Sequence, residues 1–241
     1  MKKHAILLPV AIAFMLLTSC AKIDGEGDVV TEERTLPECS GISLAMDAYV
    51  TYTPDTAYSL TIQGQQNILD HIETTVKNGT LVIKFEDHVR IGSHKQITAV
   101  VKGPGISNLE ISGSGNMTVD NAWDVYSADL NISGSGNLSM ALLNAHDLDA
   151  NISGSGNIKG YYGNCKVEHL TISGSGNIDM LGVEADSAWA NISGSGDIKL
   201  AVSVYLNATI SGSGNIRYYG NPLIVTNISG SGTVSYIQPL E

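Results

Sequence analysis

The sequence predicts an all-β fold, a right-handed parallel β-helix of about seven regular coils of 18–21 residues behind less regular N-terminal β coils. Three observations carry this. The hexapeptide Ile-Ser-Gly-Ser-Gly-Asn starts at Ile111, Ile132, Ile152, Ile172 and Ile210, ends in Asp197 in the copy at Ile192, and ends in Thr233 in the copy at Ile228. The spacings are 21, 20, 20, 20, 18 and 18, and a period near 20 without a Leu-rich consensus is that of a β-solenoid. Residues around each hexapeptide alternate apolar and polar, the mark of strands with one buried face. Finally, fourteen of the 26 glycines, two in each of seven copies, sit in the Gly-Ser-Gly cores, where a tight corner needs them.

The elements follow in order. Met1-Lys2-Lys3-His4 is a basic start, and Ala5 to Leu17 is an apolar run too short to span a bilayer, so residues 1–19 read as a signal peptide. Leu17-Thr18-Ser19-Cys20 resembles the bacterial lipobox, which makes Cys20 the lipidated N-terminus of the mature chain and acyl chains its anchor. Removing Lys2 and Lys3 takes the net charge from -11 to -11 - 2 = -13. Residues 20–31 are polar, acidic and Gly-containing, and read as a flexible tether. An acidic stretch after a lipidated Cys also resembles the surface-export signal of Bacteroidetes lipoproteins; a plain solvated linker is the other reading.

Residues 32–107 lack the hexapeptide but are also β. Ile42 to Met46, Tyr49 to Thr53, Tyr58 to Gln63 and Ile97 to Lys102 read as strands, and Asn67 to His71 as one helical turn. Asn78-Gly79 predicts a hairpin turn between Ile72-Lys77 and Thr80-Phe85. This region forms either the first, longer coils or a cap on the solenoid edge.

Residues 108–241 form the regular solenoid. Each repeat is a strand, a Gly-Ser-Gly corner and a second strand, with a looser third segment returning the chain. Coils stack about 4.8 Å apart, so seven span roughly 34 Å. Ile stacks on Ile inside, and Asn on Asn links amides along the axis. Parallel crossovers set the right hand. Few residues follow the last corner, and nothing there folds over Ile228, Val234 and Tyr236. Pro239 and Glu241 restrain runaway stacking, but the apolar end favours contact with a second copy or an envelope partner.

An acidic chain repels phosphate backbones, which argues against nucleic acid. After Cys20 only Cys39 and Cys165 remain, read as two buried thiols. The sequence carries no Walker, Rossmann or His-Glu-x-x-His motif, and it implies no cofactor and no metal. A nucleophile would not come in seven Gly-Ser-Gly copies, and calcium rolls need a carboxylate in every turn, whereas Asp197 alone is acidic in that column. One outward column reads Asp129, Asp149, His169, Trp189: a weak metal or sugar site, or a solvated ribbon. A second alternates Lys159, Asp179, Lys199, an ion-pair ladder. Tyr161-Tyr162 and Tyr218-Tyr219, three coils apart, either stack on sugars or finish the core and corners.

The lipobox, Ser40-Gly41-Ile42, the strand pair about Asn78-Gly79 and the hexapeptide array together resemble the "putative auto-transporter adhesin head GIN domain" family of Bacteroidetes envelope proteins, over about Arg34 to Tyr236. The resemblance implies an adhesin-like function at the outer membrane and brings no catalytic motif with it. The expected function is a non-enzymatic binding module for an extracellular glycan or protein. The alternatives are a polysaccharide-active β-helix enzyme, for which only Asp129 with Asp149 qualifies, and a purely structural envelope protein.

Overall fold

The computed structural model describes residues 22–238. The signal peptide, Cys20, Pro239 and Glu241 lie outside the described residues. The hexapeptide strands stack in parallel and in register, with Leu44, Ile111, Ile132, Ile152, Ile172, Ile192, Ile210 and Ile228 in one column. Beyond the corner, Val50, Met117, Leu138, Ile158, Ile178, Ile198, Ile216 and Val234 form a second. Apart from Ile228 and Val234 in the last coil, both columns are buried. The seven motif copies are separated by about six turns of β-solenoid.

The corners explain the glycines. Gly174 has φ +138, a value L side chains rarely adopt, and a Cβ there would collide with the carbonyl oxygen of Gly154 in the coil before. On the outer side, the Asn137 amide donates to Asn116 Oδ1 at 2.7 Å, Asn157 to Asn137 at 2.7 Å and Asn177 to Asn157 at 2.9 Å. Asp197 enters the ladder by accepting from the Asn215 amide at 2.9 Å.

The third segment of each turn is not loose. Leu143, Gly163 and Val183 pair coil to coil, and so do Ala145, Cys165, Ala185 and Val202. Leu143 and Val183 are fully buried, so this segment closes the core as the other two do. It also absorbs the changes of period. A bulge between Val119 and Ala122 reduces 21 residues to 20, and register shifts between Met180 and Glu184 and between Ala185 and Ser187 reduce 20 to 18.

Residues 32–107 continue the ladder and then close it. Gly41–Leu44 and Tyr49–Pro54 stack beneath the first hexapeptide coil, and below them lie Thr80–Phe85 and Thr98–Gly103, still parallel. The pairing then turns antiparallel: Ser59–Gln65 lies on Thr98–Gly103, and Ile72–Lys77 on Thr80–Phe85. Asn78 and Gly79, with φ 51 and 78, make the hairpin turn. The helical turn is Gln66–Leu69. Where this region meets the solenoid, Trp123 is buried edge-on to Tyr52, with its indole N–H donating to the Ile106 carbonyl at 2.8 Å.

The stretch read as a tether is paired from Lys22 onward. Val29–Arg34 adds an antiparallel strand to Ser59–Gln65, and Lys22–Ile23 pairs with Arg90–Ile91. The amide of Asn67 donates to the Asp24 carbonyl, and its side-chain oxygen accepts from the Glu26 N–H. The reason is an edge that needs a partner: without this strand, one side of Ser59–Gln65 would leave its backbone unpaired. Cys39 and Cys165 are both free and buried, in keeping with the reading of two buried thiols.

Candidate functional site

The coil-to-coil register places Asp129, Asp149, His169 and Trp189 directly over one another on one outer face. The column nevertheless divides in two. At one end, burial and then the neighbouring carboxylate of Asp149 raise the carboxyl of Asp129. At the other, the His169 ring lies nearly parallel to Trp189 with centroids 5.0 Å apart, and Tyr205 approaches Trp189 from the next coil at 5.7 Å. In the ladder itself the residue over Trp189 in the next coil is Asn207, with Tyr205 two residues before it. Part of the indole is thus already engaged by the His169 and Tyr205 rings, which leaves less of it for a sugar to stack on. Among the described residues, no group of three or more His, Cys, Asp and Glu could hold a metal ion.

The four tyrosines do not form one site. Tyr161 and Tyr162 are exposed, Tyr162 to 71%, and the Lys159 ammonium sits 4.7 Å above the Tyr161 ring. Tyr218 occupies the inward column after Leu200 and packs edge-on to Tyr236 at 5.9 Å, so it finishes the core. Tyr219 points outward beside it. The alternating column forms only in part: Lys159 meets Asp179 at 3.9 Å, no ion pair joins Asp179 to Lys199, and Arg217 turns to Asp197 of the amide column at 3.1 Å.

Sequence reasoning missed a broad concavity. A groove of about 700 Å³ runs along the third segments of five successive coils, from Asn144 to Tyr219. Its floor is Ala145, Cys165, Ala185 and Val202, one small or medium side chain per coil. Its walls are Asn144, Asn164 and Glu184 on one side and Lys166, Asp186 and Ser203 on the other, with Tyr219 at the far end. It lies beside the contraction from 20 to 18 residues, where Leu181 to Val183 have no counterpart in the next coil. The signal in the sequence was the drop in spacing at Ile192, together with the recurrence of small residues twenty apart at Ala145, Cys165 and Ala185.

Two buried acidic groups lie in the floor of this groove and close to it. Burial first, and the nearby Glu168 second, push the Cys165 thiol up to about 12, so it is a proton-bearing thiol and not a nucleophile. Glu168 takes an inward position between Leu148 and Ala188, and neither carboxyl oxygen has a hydrogen-bond partner. Burial raises it far above the carboxylate range, which keeps it neutral.

A family model described as "Putative auto-transporter adhesin, head GIN domain" matches residues 39–222. No curated protein matches the chain. A solved "putative adhesin" from Bacteroides fragilis NCTC 9343 is similar with a TM-score of 0.83 and 25% identity, over 89% of this chain and 100% of that one. A "putative lipid binding protein" from Parabacteroides distasonis ATCC 8503 has a TM-score of 0.78 and 25% identity, over 90% and 100%. A "putative adhesin" from Parabacteroides merdae ATCC 43184 has a TM-score of 0.74 and 22% identity, over 90% and 99%, a likeness of fold.

Proposed function

Because the chain belongs to the auto-transporter adhesin head GIN domain family, we propose that it is a non-enzymatic lipoprotein of the outer membrane, anchored through Cys20, that displays its solenoid at the cell surface as an adhesin-like binding module. The observation that carries this reading is the outer surface of the solenoid. On the face after the corner, Lys159 pairs with Asp179 and Arg217 with Asp197, the amides of Asn116, Asn137, Asn157 and Asn177 link coil to coil, and Tyr161 and Tyr162 are exposed beside them. That is a surface made for contact over length. The acidic start and lipobox supply the address, and an acyl anchor leaves the rod free to face outward.

One observation favours a polysaccharide-active enzyme as the second reading. Asp129, with its raised carboxyl, sits one coil from Asp149, and an acid beside a carboxylate is the pair that glycoside hydrolysis uses. Two experiments separate the readings. Protease applied to intact cells should digest the chain, and Cys20→Ala should release it from membranes or leave it unprocessed. Protection from protease on intact cells, or a Cys20→Ala chain that stays with the membrane, contradicts the surface-lipoprotein reading. Release of reducing ends from a polysaccharide, lost in Asp129→Asn, replaces it with the enzyme.

A further inference from the structure

We propose that the axial groove on the third face binds a linear, neutral glycan laid parallel to the solenoid axis, with Asn164 and Tyr219 as its principal contacts; this rests on the reading of the chain as a binding module. The groove crosses five coils, four steps of about 4.8 Å, and is therefore roughly 19 Å long, the shape of an extended polymer and not of a compact metabolite. At about 700 Å³ it is within the range of ligand sites.

The chemistry of the lining selects among polymers. The strands run across the groove, and their backbone groups pair with the coils above and below, so a peptide laid along it finds no strand edge to extend. Hydroxyl groups, by contrast, need side-chain donors and acceptors on both walls. Asn164, Lys166, Glu184 and Asp186 are exposed, and among the described residues none of these four side chains engages another residue in a hydrogen bond or ion pair. An Asn amide both donates and accepts, and can serve two hydroxyls at once. Tyr219 stands at the end of the groove with its ring tilted against Tyr236, 38% exposed, in place to cover the apolar side of a sugar. The walls carry one cation, Lys166, against two carboxylates, Glu184 and Asp186, on a chain of net charge -11. A polyanion is repelled, and a neutral chain is not.

The test is calorimetry with the full chain in detergent, titrated with linear cello-, xylo- and chito-oligosaccharides and with an oligogalacturonate. At least one neutral series should bind, with affinity rising with length until the groove is filled. Asn164→Ala should weaken binding at least about fivefold, the worth of one hydrogen bond. Tyr219→Ala should weaken it similarly and Tyr219→Phe should restore it, because the ring and not the hydroxyl makes the contact. Asn164→Trp, at an exposed wall position, should abolish binding with an unchanged melting temperature, while Thr118→Ala on another face changes nothing. Preference for the galacturonate, binding indifferent to Asn164→Trp, capture of phosphatidylcholine vesicles or an extended peptide through the groove, or no neutral series bound would each overturn the assignment. A failure here with the chain still digested on intact cells removes the groove's role and leaves the surface-module reading standing.

Discussion

At the scale of single residues, the core contains one position that works against it. Glu168 holds a slot that Leu148 fills in the coil before and Leu206 two coils on, and it fills that slot with a carboxyl that has no partner. Its folded-state proton affinity is raised above the ordinary value of 4.5. Its contribution to stability is thus present in full below 4.5 and is lost as pH rises through the raised folded value. Glu168→Leu should raise stability at neutral pH by about 1–3 kcal/mol, the cost of burying an unpaired polar group, and should flatten the pH dependence of the melting temperature between 4.5 and the raised folded value. A lower melting temperature for Glu168→Leu would mean that the carboxyl has a partner. The corner glycines act in the opposite sense. Gly174→Val meets both a forbidden φ and the backbone of the neighbouring coil, and should cost more than about 3 kcal/mol. Ser175→Ala, exposed on the same corner, should stay within about 0.5 kcal/mol. Equal melting curves for wild type and Gly174→Val would contradict the stacked corner.

At the scale of elements, the legibility of the sequence followed the strength of the physical constraint. Strands that flank the Gly-Ser-Gly corner must present identical faces to the coils above and below, so Ile, Asn and Gly recur and their register can be read residue by residue. The hairpin at Asn78-Gly79 was equally legible, because two consecutive residues with positive φ leave few choices. The third segment was not. Its outward positions, Asn144, Asn164 and Glu184, are free to vary, and the contraction at Ile192 falls inside it. Val29–Arg34 was missed for a related reason: it covers a strand edge with polar side chains, and its role lies in its backbone. The candidate column showed both outcomes, since the stacking of Asp129, Asp149, His169 and Trp189 could be read from spacing but the pairing of the rings could not. The one departure in the amide ladder offers a test. Burial alone would raise Asp197, but the Asn215 and Arg217 hydrogen bonds and the Arg217 charge outweigh it and hold the carboxyl below 3.8. Its contribution is present above 3.8 and lost as pH falls through the lowered value. Asp197→Asn restores the repeat, and should remove that part of the acid-induced loss of stability. Identical acid titrations of the two chains would place the ion pair outside the energetics of the fold.

At the scale of the whole molecule, the two ends of the rod differ. The N-terminal end turns antiparallel and covers its own ladder with Ser59–Gln65, Val29–Arg34 and Ile72–Lys77. In the last coil, Leu223, Val225, Ile228 and Tyr236 are exposed, and residues 218–238 contain no Asp, Glu, Lys or Arg. Among the described residues, this parallel ladder ends in an edge without charged side chains, and on a strongly acidic chain it is the place where two copies meet with least repulsion. Sedimentation of the purified chain should therefore show reversible self-association that Val225→Lys suppresses. A strictly monomeric chain, with residues 223–236 protected from hydrogen exchange, would show that the end is covered from within. The proposed function belongs to this scale as well: a rigid rod presented at the cell surface would act by contact along its outer faces. The most direct test is adherence of intact cells to a surface coated with a neutral glycan that the purified chain binds. Deleting the chain should abolish adherence, and restoring it with both Asp129→Asn and Asp149→Asn should recover adherence in full, because no step of catalysis is required. Adherence unchanged by the deletion, or recovered only when both carboxylates are present, would contradict the account.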